Sequence, residues 1–129
     1  MKYLADTVTI IRHFSETGSI GKRVISILDD TEQGKNHLYI SVISIVEIMY
    51  LSEKRRIKIN LAETLNIINN SANYSIVDLT PNIVIIAKNI KFPELHDRLI
   101  IATAKFLEIP ILTSDKEIYK IDGIKVIWS

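Results

Sequence analysis

The feature that most constrains this chain is the regular alternation of short apolar runs with segments of helical spacing. Five of the runs have the length and composition of β-strands. They are KYLA at about 2–5, LYISV at 38–42, YSIVDL at 74–79, IPILTS at 109–114 and IKVIW at 124–128. Apolar strands separated by helices predict a mostly parallel sheet that is covered on both faces. We therefore expect an α/β protein with about five strands.

The segments between these runs have the spacing of amphipathic helices. They are predicted at about 8–15, 20–33, 44–56, 61–72, 81–90 and 94–108. The third of them is apolar first and basic at its end, which the helix dipole favours. Pro81 suits the first turn of one helix, and Pro93 is expected to open the next. A helical turn is predicted from Asp115 to about Lys120.

The composition fits a single domain over residues 1–129. Hydrophobic residues make up 47% of the chain, and the lack of cysteine excludes disulfides and thiolate metal sites. Asp6 and Arg12 interrupt the N-terminal apolar stretch, which argues against a signal peptide. No apolar run approaches the roughly 20 residues that cross a bilayer. We expect a cytoplasmic protein.

The balance of charge bears on binding to nucleic acids. Sixteen Lys and Arg residues against fifteen Asp and Glu give a net charge of +1. Nucleic-acid-binding domains are usually more basic than this. The objection weakens if several acids surround divalent cations, because a bound metal ion inverts the local field.

Two acids directly follow predicted strands. Asp6 ends the first strand, and Asp115 follows the fourth in the segment LTSD. Sheets of this kind bind ligands outside the carboxyl ends of their strands, near the point where the strand order reverses. Each Asp is also suited to cap the helix that follows, and for Asp6 alone capping is the more frequent role.

Glu47 lies on an apolar helix face, with Ile43 and Leu51 among its neighbours. An unpaired carboxylate that points inward costs several kcal/mol. The nearest downstream cation, Lys54, is beyond the i,i+4 range. Glu47 is therefore expected either to form a salt bridge with a distant segment or to bind a metal ion.

Asp97 resembles Glu47 in its surroundings. Its neighbours on the helix, such as Ile100 and Ile101, are apolar, while Arg98 and Lys105 belong to the predicted solvent-facing stripe. Its position in the first turn is favourable for the helix dipole, so a structural role remains open.

Taken together, these four acids are expected to form one site. Two lie at strand ends, and two lie on inward helix faces near the same edge of the sheet. Crowded carboxylates repel one another and need a countercharge. Hard oxygen ligands without cysteine favour Mg²⁺ or Mn²⁺ over zinc. Such ions stabilise the attacking and leaving oxygens of phosphodiester hydrolysis.

Four blocks of the sequence resemble those of PIN domains, and in particular of the VapC-type ribonuclease toxins of toxin–antitoxin modules. They are YLADT at 3–7, ISIVEIMYL at 43–51, HDRLIIATA at 96–104 and ILTSDKEI at 111–118. They occur in the family order and spacing, and together they cover essentially the whole chain. HDRLIIATA followed by ILTSD is the specific part of the resemblance.

The resemblance implies a three-layer α/β/α fold and metal-dependent endonuclease activity on RNA. It assigns the metal-site roles to Asp6, Glu47, Asp97 and Asp115. It also implies a cognate antitoxin protein, a segment of which would lie across the site with an Arg paired to the acids. We further expect a homodimer built on helix faces.

Several hydroxyl and acidic residues are expected to support the site. Thr113 matches the hydroxyl residue two positions before the last acid of the family, and Glu117 matches a second acid just after it. Val8 departs from the pattern, because many relatives have Ser or Asn there. We expect Thr7 or Thr9 to supply a hydroxyl for Asp6 instead.

Other charged residues have weaker functional signals. Arg12 and Lys116 are candidates for contact with an RNA phosphate. The basic run at 54–58 is a further candidate for contact with RNA phosphates, although a solvated helix end is the more frequent role of such a run. His13 and His96 are expected to have packing or surface roles.

Two other functions remain to be weighed. A catalytically silent PIN-like module would bind RNA or protein without cleaving, but it would not need to keep inward carboxylates. A phosphoacceptor signalling domain would use Asp78 after YSIVDL together with a Lys after the last strand. The chain ends in IKVIWS without that Lys.

Overall fold

The centre of the fold is a sheet of five parallel strands, in a computed structural model that describes residues 1–129. The strands are β1 (Lys2–Ala5), β2 (His37–Ser41), β3 (Tyr74–Val77), β4 (Ile111–Leu112) and β5 (Val126–Ile127). Their order across the sheet is β3-β2-β1-β4-β5, and every neighbouring pair is parallel. The predicted α/β class and strand number are confirmed.

Six α-helices and one 3₁₀ helix connect the strands. They are α1 (Thr7–Ser15), α2 (Lys22–Glu32), α3 (Val42–Glu53), α4 (Leu61–Asn69), α5 (Pro81–Lys88), α6 (Leu95–Leu107) and the 3₁₀ helix Ile118–Lys120. None of these helices combines the length and the apolar character needed to cross a membrane.

The buried side chains form two clusters on opposite faces of the sheet. Along β1, Tyr3 and Ala5 belong to the first cluster and Leu4 to the second, because successive strand residues point to opposite faces. Helices α1, α2 and α4 pack on the first face, and α5 and α6 on the second. Helix α3 contributes Ile48 to the first cluster and packs Ile43 against the second. This is the three-layer α/β/α arrangement that the resemblance implied.

Helix α3 ends earlier than the sequence predicted. It stops at Glu53, and its last turn contains no basic residue, so the expected basic helix end is wrong. Arg55 takes a left-handed conformation with φ of 57°, and the N–H of Arg56 bonds to the carbonyl of Leu51. This closure ends the helix and places the basic run in the following turn.

Helix α6 begins within one residue of the predicted position. Glu94, directly after Pro93, is its N-cap, and its carboxylate accepts a hydrogen bond of 2.6 Å from the N–H of Asp97. Arg98, expected to face solvent, is half-buried, and its Nε has no hydrogen-bond partner.

Candidate functional site

The carboxyl ends of β1 and β4 form the edge at which the candidate site lies. The chain first builds the sheet outward from β1 through β2 to β3, and then returns to place β4 on the other side of β1. The strand order therefore reverses between β1 and β4, where open parallel sheets bind ligands. Asp6 follows β1 directly, and its N–H donates to the carbonyl of Leu112 at 3.1 Å.

Asp6 both caps a helix and faces this edge. Its Oδ1 accepts a hydrogen bond of 2.9 Å from the N–H of Thr9. Asp6 therefore caps α1, which is the structural role considered for it from the sequence. Its Oδ2 accepts a 2.5 Å hydrogen bond from the hydroxyl of Thr113. The expectation that Thr7 or Thr9 supplies this hydroxyl is wrong, because Thr9 bonds the carbonyl of Leu112 and Thr7 bonds Glu47.

Asp115 is held by the same threonine. Its N–H donates to the hydroxyl oxygen of Thr113 at 3.1 Å, and Thr113 is fully buried. Its Oδ1 accepts a 2.9 Å hydrogen bond from the N–H of Glu117. The carboxylate of Glu117 itself is exposed and pairs with Lys120 at 3.0 Å.

Glu47 is positioned by hydroxyl groups from α1 and α3. Thr7 donates a hydrogen bond of 2.6 Å to Glu47 Oε1, and the same Thr7 oxygen lies 2.9 Å from the hydroxyl of Ser44. Both Thr7 and Ser44 are buried. The sequence did not assign Ser44 a role in the site, although its position three residues before Glu47 on the same helix face was the available signal.

The pKa of Asp97 responds to the charges of the other three acids. Burial raises it most, and the charges of Glu94, Glu47, Asp6 and Asp115 raise it further, so that it moves from 3.8 to about 6. Three of these four charges belong to the acids predicted from the sequence. We call Asp6, Glu47, Asp97 and Asp115 the acid cluster.

No Lys, Arg or His side chain forms a salt bridge with the acid cluster. The salt bridges of the chain are His13–Glu32, His96–Glu94 and Lys120–Glu117, and none involves one of the four acids. The salt bridge considered for Glu47 is therefore not formed.

The donor set of the acid cluster suits a hard divalent cation. All four side chains are carboxylates and are only partly buried. Protein hydrogen bonds to Glu47 and Asp115 use one oxygen each, which leaves Oε2 and the second Asp115 oxygen free. Carboxylate oxygens of this kind are the ligands that Mg²⁺ and Mn²⁺ prefer. No three His, Asp or Glu side chains are arranged so as to hold a metal ion as they stand.

The other candidate residues lie at different places in the fold. Arg12 lies over Gly18 and donates from Nη1 to the carbonyl of Ser19 at 2.8 Å, whereas Lys116 is exposed. His96 is exposed and lies 3.1 Å from Glu94. His13 is partly buried against Tyr74 at the other end of α1, with 3.1 Å between Nε2 and the phenol oxygen.

An apolar groove borders the acid cluster. Its volume is about 450 Å³. Its lining residues are Val46, Glu47, Met49, Tyr50, Leu51 and His96. The side chains of Val46, Met49 and Tyr50 are 42–50% exposed, so this part of α3 has no partner within the chain. Glu47 is thus shared between the groove and the acid cluster.

Comparisons with known proteins agree with this architecture. No curated protein sequence matches the chain. One solved structure similar to it is VapBC2 from Rickettsia felis bound to a promoter DNA fragment, with a TM-score of 0.76, 16% identity and full coverage of both chains. A toxin–antitoxin complex from Klebsiella pneumoniae has a TM-score of 0.63 and 22% identity, covering 97% of this chain and 95% of that one.

The PIN domain endonuclease Utp24 is more distant, with a TM-score of 0.54 and 18% identity over 97% of this chain and 82% of that one. At these identities the structural likeness establishes the fold. The family model described as PIN domain matches residues 3–124 of the sequence. The chain therefore belongs to the PIN domain family.

Proposed function

We propose that residues 1–129 form a single metal-dependent endoribonuclease domain, the VapC-type toxin of a toxin–antitoxin pair, which hydrolyses RNA phosphodiester bonds in the cytoplasm. The observation that carries the proposal is the acid cluster at the strand-order reversal. Its four carboxylates come from separate segments of the chain and have no Lys or Arg within 4.0 Å. The PIN domain match and the endonuclease among the similar structures support a nuclease.

In this proposal, Asp6, Glu47, Asp97 and Asp115 hold Mg²⁺ or Mn²⁺. The ion would supply the positive charge that activates a water molecule and balances the phosphate during hydrolysis. The protein groups around it fix the ligands. Thr113 orients Asp6 and Asp115, and Thr7 orients Glu47. Such outer hydrogen bonds commonly set ligand orientation and basicity.

The direct test is cleavage of single-stranded RNA by purified protein with Mn²⁺ and with excess EDTA. EDTA, Asp6→Asn and Asp115→Asn should each abolish cleavage. Asn still caps a helix, so Asp6→Asn retains the hydrogen bond to Thr9 while removing the charge. Asp78→Asn is the matched control, because Asp78 follows β3 and is exposed outside the acid cluster. Full cleavage in excess EDTA contradicts the mechanism.

A catalytically silent PIN-like module is the second candidate. The observation in its favour is that no three acids are arranged to hold an ion as they stand. It predicts RNA or protein binding without cleavage, at any Mn²⁺ concentration.

We also propose an antitoxin partner whose apolar side chains fill the groove along α3 and whose Arg pairs with the acid cluster. Glu47 lines the groove and belongs to the acid cluster, so one bound segment can contact both surfaces. An Arg–carboxylate pair is a strong, charge-assisted interaction. The VapBC and toxin–antitoxin structures that share this fold support such a partner. Co-expression with a protein encoded beside this chain should yield a complex.

The expected homodimer would use another exposed apolar surface. On α5, Val84 and Ile85 are 47% and 61% exposed. Light scattering of the wild type and of Ile85→Lys should give a dimer and a monomer, respectively.

A further inference from the structure

Ser44 differs from two other buried hydroxyl residues in the middle of helices, Thr31 and Thr103. Thr31 in α2 and Thr103 in α6 each donate to the carbonyl four residues earlier, at 2.8 Å. This is the usual arrangement for a hydroxyl in the middle of a helix. Ser44 is fully buried, and its one side-chain hydrogen bond crosses to Thr7 of α1. Its hydroxyl is therefore directed at the group that contacts Glu47.

The number of protons available fixes the direction of these hydrogen bonds. A threonine hydroxyl has one proton and two lone pairs. The Thr7 proton goes to Glu47 Oε1 at 2.6 Å, because a carboxylate is the strongest acceptor there. The 2.9 Å contact with Ser44 must then use a lone pair of Thr7. Ser44 is the donor, and the chain of hydrogen bonds runs from Ser44 through Thr7 to Glu47.

This direction determines what Ser44 does. Hydrogen bonds in a chain polarise one another, so the donor at Ser44 strengthens the bond from Thr7 to Glu47. It also fixes the rotation of the Thr7 hydroxyl. Since Thr7 directly follows Asp6, these two hydrogen bonds set the position of Glu47 relative to Asp6. Removing the Ser44 oxygen would leave a space smaller than a water molecule, so solvent would not replace it.

We propose that Ser44 is a positioning residue that holds Glu47, through Thr7, in the orientation needed to bind the divalent cation. The proposal rests on the proposed function, because it takes Glu47 to be part of the ion site. It assigns Ser44 no contact with the ion or with RNA.

The first test measures Mn²⁺ affinity by titration calorimetry for the wild type and Ser44→Ala. The affinity should fall about tenfold or more, the usual effect of losing an outer-shell hydrogen bond. Cleavage at low Mn²⁺ should fall in parallel and recover as Mn²⁺ approaches saturation. The matched control is Thr31→Val, which removes a buried helical hydroxyl bonded to its own helix. Unchanged affinity in Ser44→Ala, or an equal loss in Thr31→Val, overturns the proposal.

The second test needs neither metal nor RNA. Unfolding midpoints in EDTA are compared for the wild type, Ser44→Ala, Glu47→Gln and the double variant. The two substitutions should be non-additive in the wild-type background and additive when Thr7→Val removes the connecting hydroxyl. If the protein binds Mn²⁺ but the two substitutions are additive in both backgrounds, the role of Ser44 is overturned and the proposed function stands. If the two substitutions are coupled but the protein neither binds Mn²⁺ nor cleaves RNA, both the proposed function and the role of Ser44 toward the ion are overturned.

Discussion

The hydroxyl of Thr113 donates a hydrogen bond of 2.5 Å to Oδ2 of Asp6, a residue 107 positions earlier in the chain. The same oxygen accepts a hydrogen bond of 3.1 Å from the N–H of Asp115. One buried hydroxyl therefore links two acids that follow neighbouring strands. Asp115 lies three residues beyond the end of β4, so the strand pairing alone does not set its distance from Asp6. The Thr113 hydroxyl, which bonds to both residues, sets that distance more directly.

Thr113→Val should weaken the site and the fold together. The substitution keeps the shape of the fully buried Thr113 side chain but leaves the Asp115 N–H without its acceptor. We expect the free energy of unfolding to fall by about 1–3 kcal/mol and Mn²⁺ affinity to fall about 10- to 100-fold. Urea denaturation in EDTA and Mn²⁺ titration measure the two effects. Thr103→Val, an equally buried hydroxyl away from the acids, should reduce stability only.

Asp97→Asn should stabilise the protein without metal at pH 7. The pKa of Asp97 is about 6 in the folded chain and near its usual 3.8 in the unfolded chain. Between these values the folded state binds more protons, so stability falls as pH rises from about 4 to 6 and stays reduced above. Thermal melts in EDTA from pH 4 to pH 7 should show this fall in the wild type and a flatter curve in Asp97→Asn.

The same variant should lose its response to Mn²⁺. An ion that binds only the folded wild type at a hundredfold excess over Kd adds about 2.7 kcal/mol, several degrees of melting temperature at this size. Asp78→Asn should respond as the wild type does. If Asp97→Asn melts lower than the wild type in EDTA while Mn²⁺ stabilises both equally, Asp97 is structural and the ion site excludes it.

His13 should give the opposite dependence on pH. Burial lowers the pKa of His13 below its usual 6.5, although the charges of Glu32, Asp29 and Glu16 act to raise it. The folded chain thus keeps His13 neutral while the unfolded chain takes up a proton, so stability present above pH 6.5 is lost as pH falls. His13→Gln should flatten the melting curve below pH 6.5 when measured in the Asp97→Asn background. If His13→Gln leaves the pH dependence of the melting temperature unchanged, the loss of stability at low pH comes from another group.

The sequence was sufficient for the architecture because its strands are nearly continuous apolar runs. Such runs are typical of strands buried on both faces, and in β1 and β2 the two faces meet different clusters. Acids directly after strands were then expected at one edge, and Asp6 and Asp115 follow neighbouring strands. The capping role of Asp6 did not exclude a site role, because Thr9 and Thr113 use different oxygens.

Details set by tertiary packing were less accessible from the sequence. The partner of Thr113 is 107 residues away, and no local pattern indicates it. A serine within a helix does not by itself indicate a role in a site. The direction of the Ser44 hydroxyl depends on how α1 packs against α3. Helix α3 was predicted to run to Arg56 but ends at Glu53. Arg55 adopts a left-handed conformation, which residues other than glycine rarely adopt, so the sequence did not indicate this end.

Met49→Glu should release the protein from its antitoxin while leaving RNA cleavage intact. Met49 lines the apolar groove beside Glu47 and is 42% exposed, so the substitution adds charge to the groove without disturbing the core. An apolar segment of the antitoxin would then bury an unpaired carboxylate, which is unfavourable. We expect complex formation to weaken at least about tenfold, which corresponds to about 1.4 kcal/mol.

Calorimetric titration with the purified antitoxin measures the affinity, and cleavage of free RNA shows that the acid cluster remains functional. Ile67→Glu is the matched control, because Ile67 is 54% exposed on α4 and lines a different depression with His13 and Tyr74. The control should bind the antitoxin as the wild type does. If Met49→Glu binds equally well, the antitoxin does not occupy the α3 groove. If both variants bind weakly, the partner surface extends over α4, and the groove is only part of it.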